Sequence, residues 1–102
     1  MSEQHTEKLV NHILGEIKNT LKRHGFHEVM IHGICNYQKG ELYCIPHYFS
    51  QLGFLIEYAD SREEAEKNWY EDGDAISLRF GENYILQALE SEIIHELEKK
   101  LL

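Results

Sequence analysis

Two apolar stripes, one at each end of the chain, bracket a central run of strand-forming residues. Leu9, Val10, Ile13, Leu14, Ile17 and Leu21 recur at helical spacing, so residues 3–24 are expected to form an amphipathic helix. Lys22, Arg23 and His24 suit the negative end of its dipole, and Gly25 supplies a stop. After Gly81, a second stripe of Ile85, Leu86, Leu89, Ile93, Leu97 and Leu101 runs to the C-terminus. A helix with one apolar stripe must bury it against another layer. Two such helices around strands therefore predict an α+β sandwich. At 102 residues, one domain spanning 1–102 is expected, long enough to bury a two-layer core without metal or disulfide staples.

Residues 27–37 and 41–49 are rich in β-branched and aromatic side chains, with Gln38-Lys39-Gly40 between them. Glycine accepts positive φ, so this is a hairpin signal. A two-residue turn at Lys39-Gly40 would oppose Cys35 to Cys44 and His32 to His47. Val29, Ile31, Gly33, Cys35 and Tyr37 would then share one face with Leu42, Cys44, Pro46 and Tyr48. Met30, His32, Ile34 and Asn36 would share the other with Tyr43, Ile45, His47 and Phe49. Both faces are largely apolar, whereas a sheet with one wet face alternates more sharply. The second face is therefore either covered by a helix or used for binding. Pro46 lacks an N–H, which in this register makes its strand an edge there or ends its pairing to the next strand. Gly53–Ala59 reads as a third strand. Ser61-x-x-Glu64 is a capping box opening a short helix through about Trp69. Glu71–Asp74 reads as a turn and Ala75–Phe80 as a fourth strand. The expected order is α-β-β-β-α-β-α, a mainly antiparallel sheet of about four strands packed with long N- and C-terminal helices.

The charge is unevenly spread. Residues 1–52 carry five acids and five bases, and residues 53–102 carry thirteen acids and five bases, which accounts for the whole net charge of −8. Across Glu57–Asp74, eight acids stand against Arg62 and Lys67. Such a surface disfavours nucleic acid and anionic membrane and favours a cationic protein. Within it, Glu63, Glu64, Glu66, Trp69, Tyr70, Glu71, Asp72 and Asp74 are the candidate partner-binding residues. Trp and Tyr among acids combine apolar anchoring area with steering charge. The bland reading is a solvated face in which Trp69 caps the core and Tyr70 lies over it.

No catalytic residues are assigned. There is no glycine-rich phosphate loop, nucleophile elbow or His-Glu-x-x-His. His32 and His47 provide two ligands where zinc usually takes four, and the expected register puts Cys35 and Cys44 on the opposite face. His24, His27 and His32 span a helix end, a loop and a strand, a poor ligand set. Cys35 and Cys44 could in that register approach disulfide distance, but they read as two reduced cysteines packed as small apolar residues. Asp72-Gly73-Asp74 lacks the other ligands of a calcium loop. No metal or cofactor is therefore expected. No run approaches the roughly 20 apolar residues of a membrane span, and the polar N-terminus has no apolar signal core. A cytoplasmic location is expected.

The stretch Ser61-x-x-Glu64-Ala65-x-x-Asn68-Trp69-Tyr70-Glu71-Asp72-Gly73-Asp74, followed by a strand signal and a long terminal helix, resembles small acidic α+β immunity proteins of bacterial polymorphic toxin systems. The similarity spans roughly the last 45 residues. The resemblance implies a non-enzymatic inhibitor that covers the active site of a cognate toxin domain, often a nuclease with a basic cleft. The alternative is a bacterial regulatory or small-ligand-binding domain using an apolar sheet face. A metal- or thiol-dependent enzyme would need His32, His47, Cys35 and Cys44 to converge. The two apolar sheet faces leave room for a homodimer.

Overall fold

The structure is a computed structural model that describes residues 3–101; Met1 and Ser2 of the polar N-terminus lie outside the described residues. Helix α1 covers Glu3–Arg23 and is followed by strands β1 (His27–Ile31), β2 (Ile34–Lys39), β3 (Leu42–Phe49) and β4 (Gly53–Ala59). A five-residue helix α2 (Arg62–Glu66) leads to β5 (Glu71–Asp72). A 3-10 turn at Leu78–Phe80 precedes α3 (Glu82–Glu92), which continues as a π turn (Ile93–Leu97) and a 3-10 turn (Glu98–Leu101). The five strands form one antiparallel sheet in sequence order. The α+β class stands, with five strands where the sequence pattern predicts about four.

Both terminal stripes pack on the same side of the sheet. Val10, Ile13, Ile17 and Leu21 of α1 meet Ile85, Leu89, Ile93 and Leu97 of the C-terminal helix over Tyr37, Leu42, Cys44, Phe54 and Ile56. This is the main core. At the end of α1, the Phe26 and His24 N–H groups donate to carbonyls of the last turn, and Gly25 takes φ 89°, a conformation glycine adopts without Cβ strain.

The sheet differs from the sequence expectation where a second hairpin enters. His32 and Gly33 both have positive φ, 52° and 78°, the pattern of a two-residue I′ turn. The run 27–37 therefore folds back on itself, and Ile31 pairs with Ile34 instead of continuing toward β3. The other turn is Gly40-Glu41, not Lys39-Gly40: Lys39 pairs with Leu42 and Tyr37 with Cys44. Gly40 has φ 58° and occupies the first turn position, where a II′ turn needs glycine. The expected register is thus two residues off. Cys35 faces Met30, and Cys44 lies between Tyr37 and Tyr58. His32 sits in a turn, while His47 pairs with Leu55 within the sheet. Neither the Cys pair nor the His pair is opposed. Val29 and Ile31 move to the second face, opposite Asn36 and Ile34.

The same register explains Pro46. Residues flanking a two-residue turn form a hydrogen-bonded pair, and such pairs alternate. Leu42, Cys44 and Pro46 therefore direct their backbone groups toward β2. Pairing to β2 ends at Cys44, whereas pairing to β4 runs the whole length of β3. The missing N–H falls where β3 has no neighbour, on the side opposite to the one the sequence suggested.

Ala75–Phe80 is not a strand. Phe54 and Ile76 exchange two backbone bonds of 2.8 Å, forming an isolated bridge. The Ile76 carbonyl lies where a Cβ on Gly53 would stand. Ser77 Oγ then accepts the Arg79 N–H and caps the 3-10 turn. Glu71–Asp72 pairs with Glu57 and Tyr58 instead, so the expected turn contains the outermost strand.

Candidate acidic interface

Ser61 caps α2 as its spacing predicts: its hydroxyl accepts the Glu64 N–H at 3.1 Å, and the Glu64 carboxylate accepts the Asp60 N–H at 3.1 Å. The helix stops earlier than expected. Asn68 takes a left-handed conformation, φ 59°. Trp69 N–H donates to Glu64 O and Asn68 N–H to Ala65 O, the paired bonds of a Schellman stop. The chain then turns outward at Trp69, which is 62% exposed, with Lys67 Nζ 4.6 Å from its ring centroid.

Tyr70 has the opposite fate. It is half-buried, and its hydroxyl donates to Oδ1 of Asn36, a fully buried residue on β2. Tyr70 joins Val29, Ile31, Tyr43, Ala59 and Ala65 in a small second cluster. The second sheet face is therefore covered at this end by α2 and Tyr70. Of the adjacent aromatics expected as anchors, Trp69 is exposed with Lys67 over its ring, and Tyr70 is tied to β2 through Asn36.

The candidate acids divide into two groups. On α2, Glu63 binds Lys67 at 2.9 Å and Glu66 approaches Arg62 at 3.7 Å, while Glu64 is engaged in capping. These neighbours consume the two bases of the segment. On and after β5, Glu71, Asp72 and Asp74 are exposed at the outer sheet edge. The fold sets Asp72 and Asp74 against the C-terminal helix. A cleft of about 420 Å³ is lined by Asp72, Asp74, Glu92 and Glu96, with Tyr58, Gly73, Leu97, Lys99 and Lys100 completing it. The sequence pattern does not mark Tyr58, Glu92 or Glu96 as site residues. Helical periodicity marks Glu92 and Glu96 as polar positions but does not say which strand they face.

The electrostatics of the cleft follow from crowding. Burial, and then the neighbouring Asp74 carboxylate, push Glu92 up to about 7. The Tyr58 hydroxyl is pushed up to about 12, first by its hydrogen bond to Glu71 and then by burial. Lys100 provides local positive charge, with Nζ 4.9 Å from the Tyr58 ring centroid and 3.7 Å from Asp60. Four carboxylates thus share the cleft with Lys99 and Lys100.

The other candidates do not assemble. His32 Nε2 lies 3.0 Å from Glu66 O, and His47 Nε2 lies 3.2 Å from Glu57 Oε1. Cys35 and Cys44 are free thiols, and burial pushes the Cys44 thiol far up, away from the thiolate form a nucleophile needs. Among the described residues, no three His, Cys, Asp or Glu side chains form a metal-holding group, and no helix is long and apolar enough to cross a membrane. No protein-family model, curated protein or solved structure matches the chain.

Proposed function

We propose that this chain is a non-enzymatic acidic binding protein acting in a bacterial cytoplasm, and that it neutralises a cationic toxin domain, for example a nuclease, by covering its active site as an immunity protein does. The observation that carries the reading is the β5 edge: Asp72 and Asp74 share a cleft with Glu92 and Glu96, Glu71 is exposed next to Asp72, and Trp69 is exposed a few residues away. Acids in excess of the local lysines speed the encounter with a basic cleft, and an exposed Trp supplies the apolar contact that slows dissociation. Glu63 and Glu66, already paired on α2, contribute to the long-range field more than to close contacts.

The test uses the toxin domain encoded by the neighbouring gene. One equivalent of this chain should abolish that domain's activity and protect cells expressing it. Glu71→Lys with Asp72→Lys should slow association and flatten its dependence on salt, because both acids are exposed and the steering field is screened over a Debye length of about 8–10 Å. Trp69→Ala should mainly hasten dissociation, costing about 1–3 kcal/mol in affinity if it is an anchor. Folded charge-reversal variants that bind and protect like the parent would overturn the assignment.

A further inference from the structure

The C-terminal segment Glu98–Leu101 supplies Lys100 to the acidic cleft, and an ionic cluster at the far end of α1 holds the segment down. His24 follows α1 and is largely buried. Its Nε2 lies 3.1 Å from Glu90 Oε2 and its Nδ1 lies 2.9 Å from Glu98 Oε1. Glu98 Oε1 is sealed from solvent and has no well-aligned hydrogen-bond donor, so its compensation rests on the charge of the adjacent imidazole. A neutral imidazole carries a proton on one nitrogen and a lone pair on the other; only the imidazolium presents a proton to both carboxylates. The remaining charges at the cluster come from α1 and β2. Arg23 Nη2 lies 3.9 Å from Glu90. Lys39 Nζ donates to the His24 carbonyl at 2.7 Å and lies 3.4 Å from Glu98 Oε2. Lys22 on the same turn is engaged with Glu28.

We infer that His24 is a protonation-dependent clamp on the C-terminal segment. As imidazolium it bridges α3 to the terminal turn through Glu90 and Glu98. When it loses its proton, either Glu90 or Glu98 faces a lone pair, the bridge through the imidazole is broken whichever nitrogen keeps its proton, and residues 98–101 loosen. Lys100 then leaves Tyr58 and Asp60, and the acidic cleft is uncovered for a partner's cation. This last consequence rests on the binding role proposed above; the clamp itself does not.

The experiment is hydrogen–deuterium exchange of the C-terminal peptide in the isolated protein at pH 5.5 and pH 8, either side of the ordinary histidine range, corrected for intrinsic exchange. A Glu92→Gln background removes the α3 carboxyl that burial pushes up to about 7. Exchange across 98–101 should speed about tenfold at pH 8, the scale of one charge-assisted bond. His24→Gln should exchange at the fast level at both pH values. Glu98→Gln should be insensitive to pH, because its side chain no longer needs a cation. Equal protection at both pH values in the parent, or an unchanged pH response in folded His24→Gln, would overturn the clamp. Neither result depends on a toxin domain, so failure here is separable from failure of the binding reading.

Discussion

The helix-covered face of the sheet and the acidic flank beyond β4 are built from different materials. On the covered face, Ile13, Ile17, Leu21, Phe54, Ile56, Ile85 and Leu89 have almost no accessible surface and join the N-terminal helix, the sheet and the C-terminal helix. On the flank, α2 buries only Ala65, and β5 pairs over two residues. The flank holds its place through particular polar contacts: the Ser61 cap, the Asn68 stop, and the Tyr70 hydroxyl on Asn36. Area-driven burial tolerates many sequences; a small region fastened by single hydrogen bonds does not. The flank also carries the proposed binding charges, so a face that must remain exposed depends on a few polar contacts.

The largest effect that would sharpen this contrast is a cavity on the covered face. Ile17→Ala should cost about 2–5 kcal/mol in denaturant unfolding, with an unchanged slope if the denatured state is unaltered. Tyr70→Phe comes next, because it leaves the buried Asn36 carbonyl without its donor. A loss of about 1–3 kcal/mol is expected, and a neutral result would show that the flank is not fastened there. Ser61→Ala should cost about 1 kcal/mol through the lost cap, read by the same unfolding curves.

Glu92 gives a smaller, pH-dependent term. Burial and the Asp74 carboxylate hold its folded pKa at about 7, above the 4.5 of an ordinary glutamate, so the folded state holds the proton more tightly. The stability linked to that proton is fully present below pH 4.5 and is lost as pH rises to about 7. Glu92→Gln should therefore flatten this decline and exceed the parent in melting temperature above pH 7. The difference should be of the order of 1 kcal/mol or less once solvent screening of a half-exposed carboxyl is allowed for. A parent and variant with parallel pH profiles would remove Glu92 from the electrostatic account. The smallest effect is Trp69→Ala, expected to change stability by no more than about 0.5 kcal/mol, as for an ordinary surface site. A large loss would place Trp69 in the core and erase the distinction from Tyr70.

What the sequence determined by itself was whatever repeats along the chain. The stripes Ile13-Ile17-Leu21 and Ile85-Leu89-Ile93 fixed two helices and their buried faces, because helical periodicity is a local property that burial reads directly. Gly25 and the Ser61–Glu64 cap were legible for the same reason: a backbone need is met within a few residues. Tertiary structure alone decided which strand each segment joins. His32-Gly33 carries turn chemistry, but choosing a second hairpin over one long strand required Val29 and Ile31 to gain burial beside Tyr43 and Ala59. Ile76, Leu78 and Phe80 alternate like a strand, yet the edge of β4 was taken by Glu71–Asp72, a pair with too little apolar character to announce itself. The acidic cleft belongs to the same class. Asp72 and Asp74 were visible as charge, but their meeting with Glu92 and Glu96 required the C-terminal helix to lie across the sheet, a contact between distant segments that no local pattern encodes.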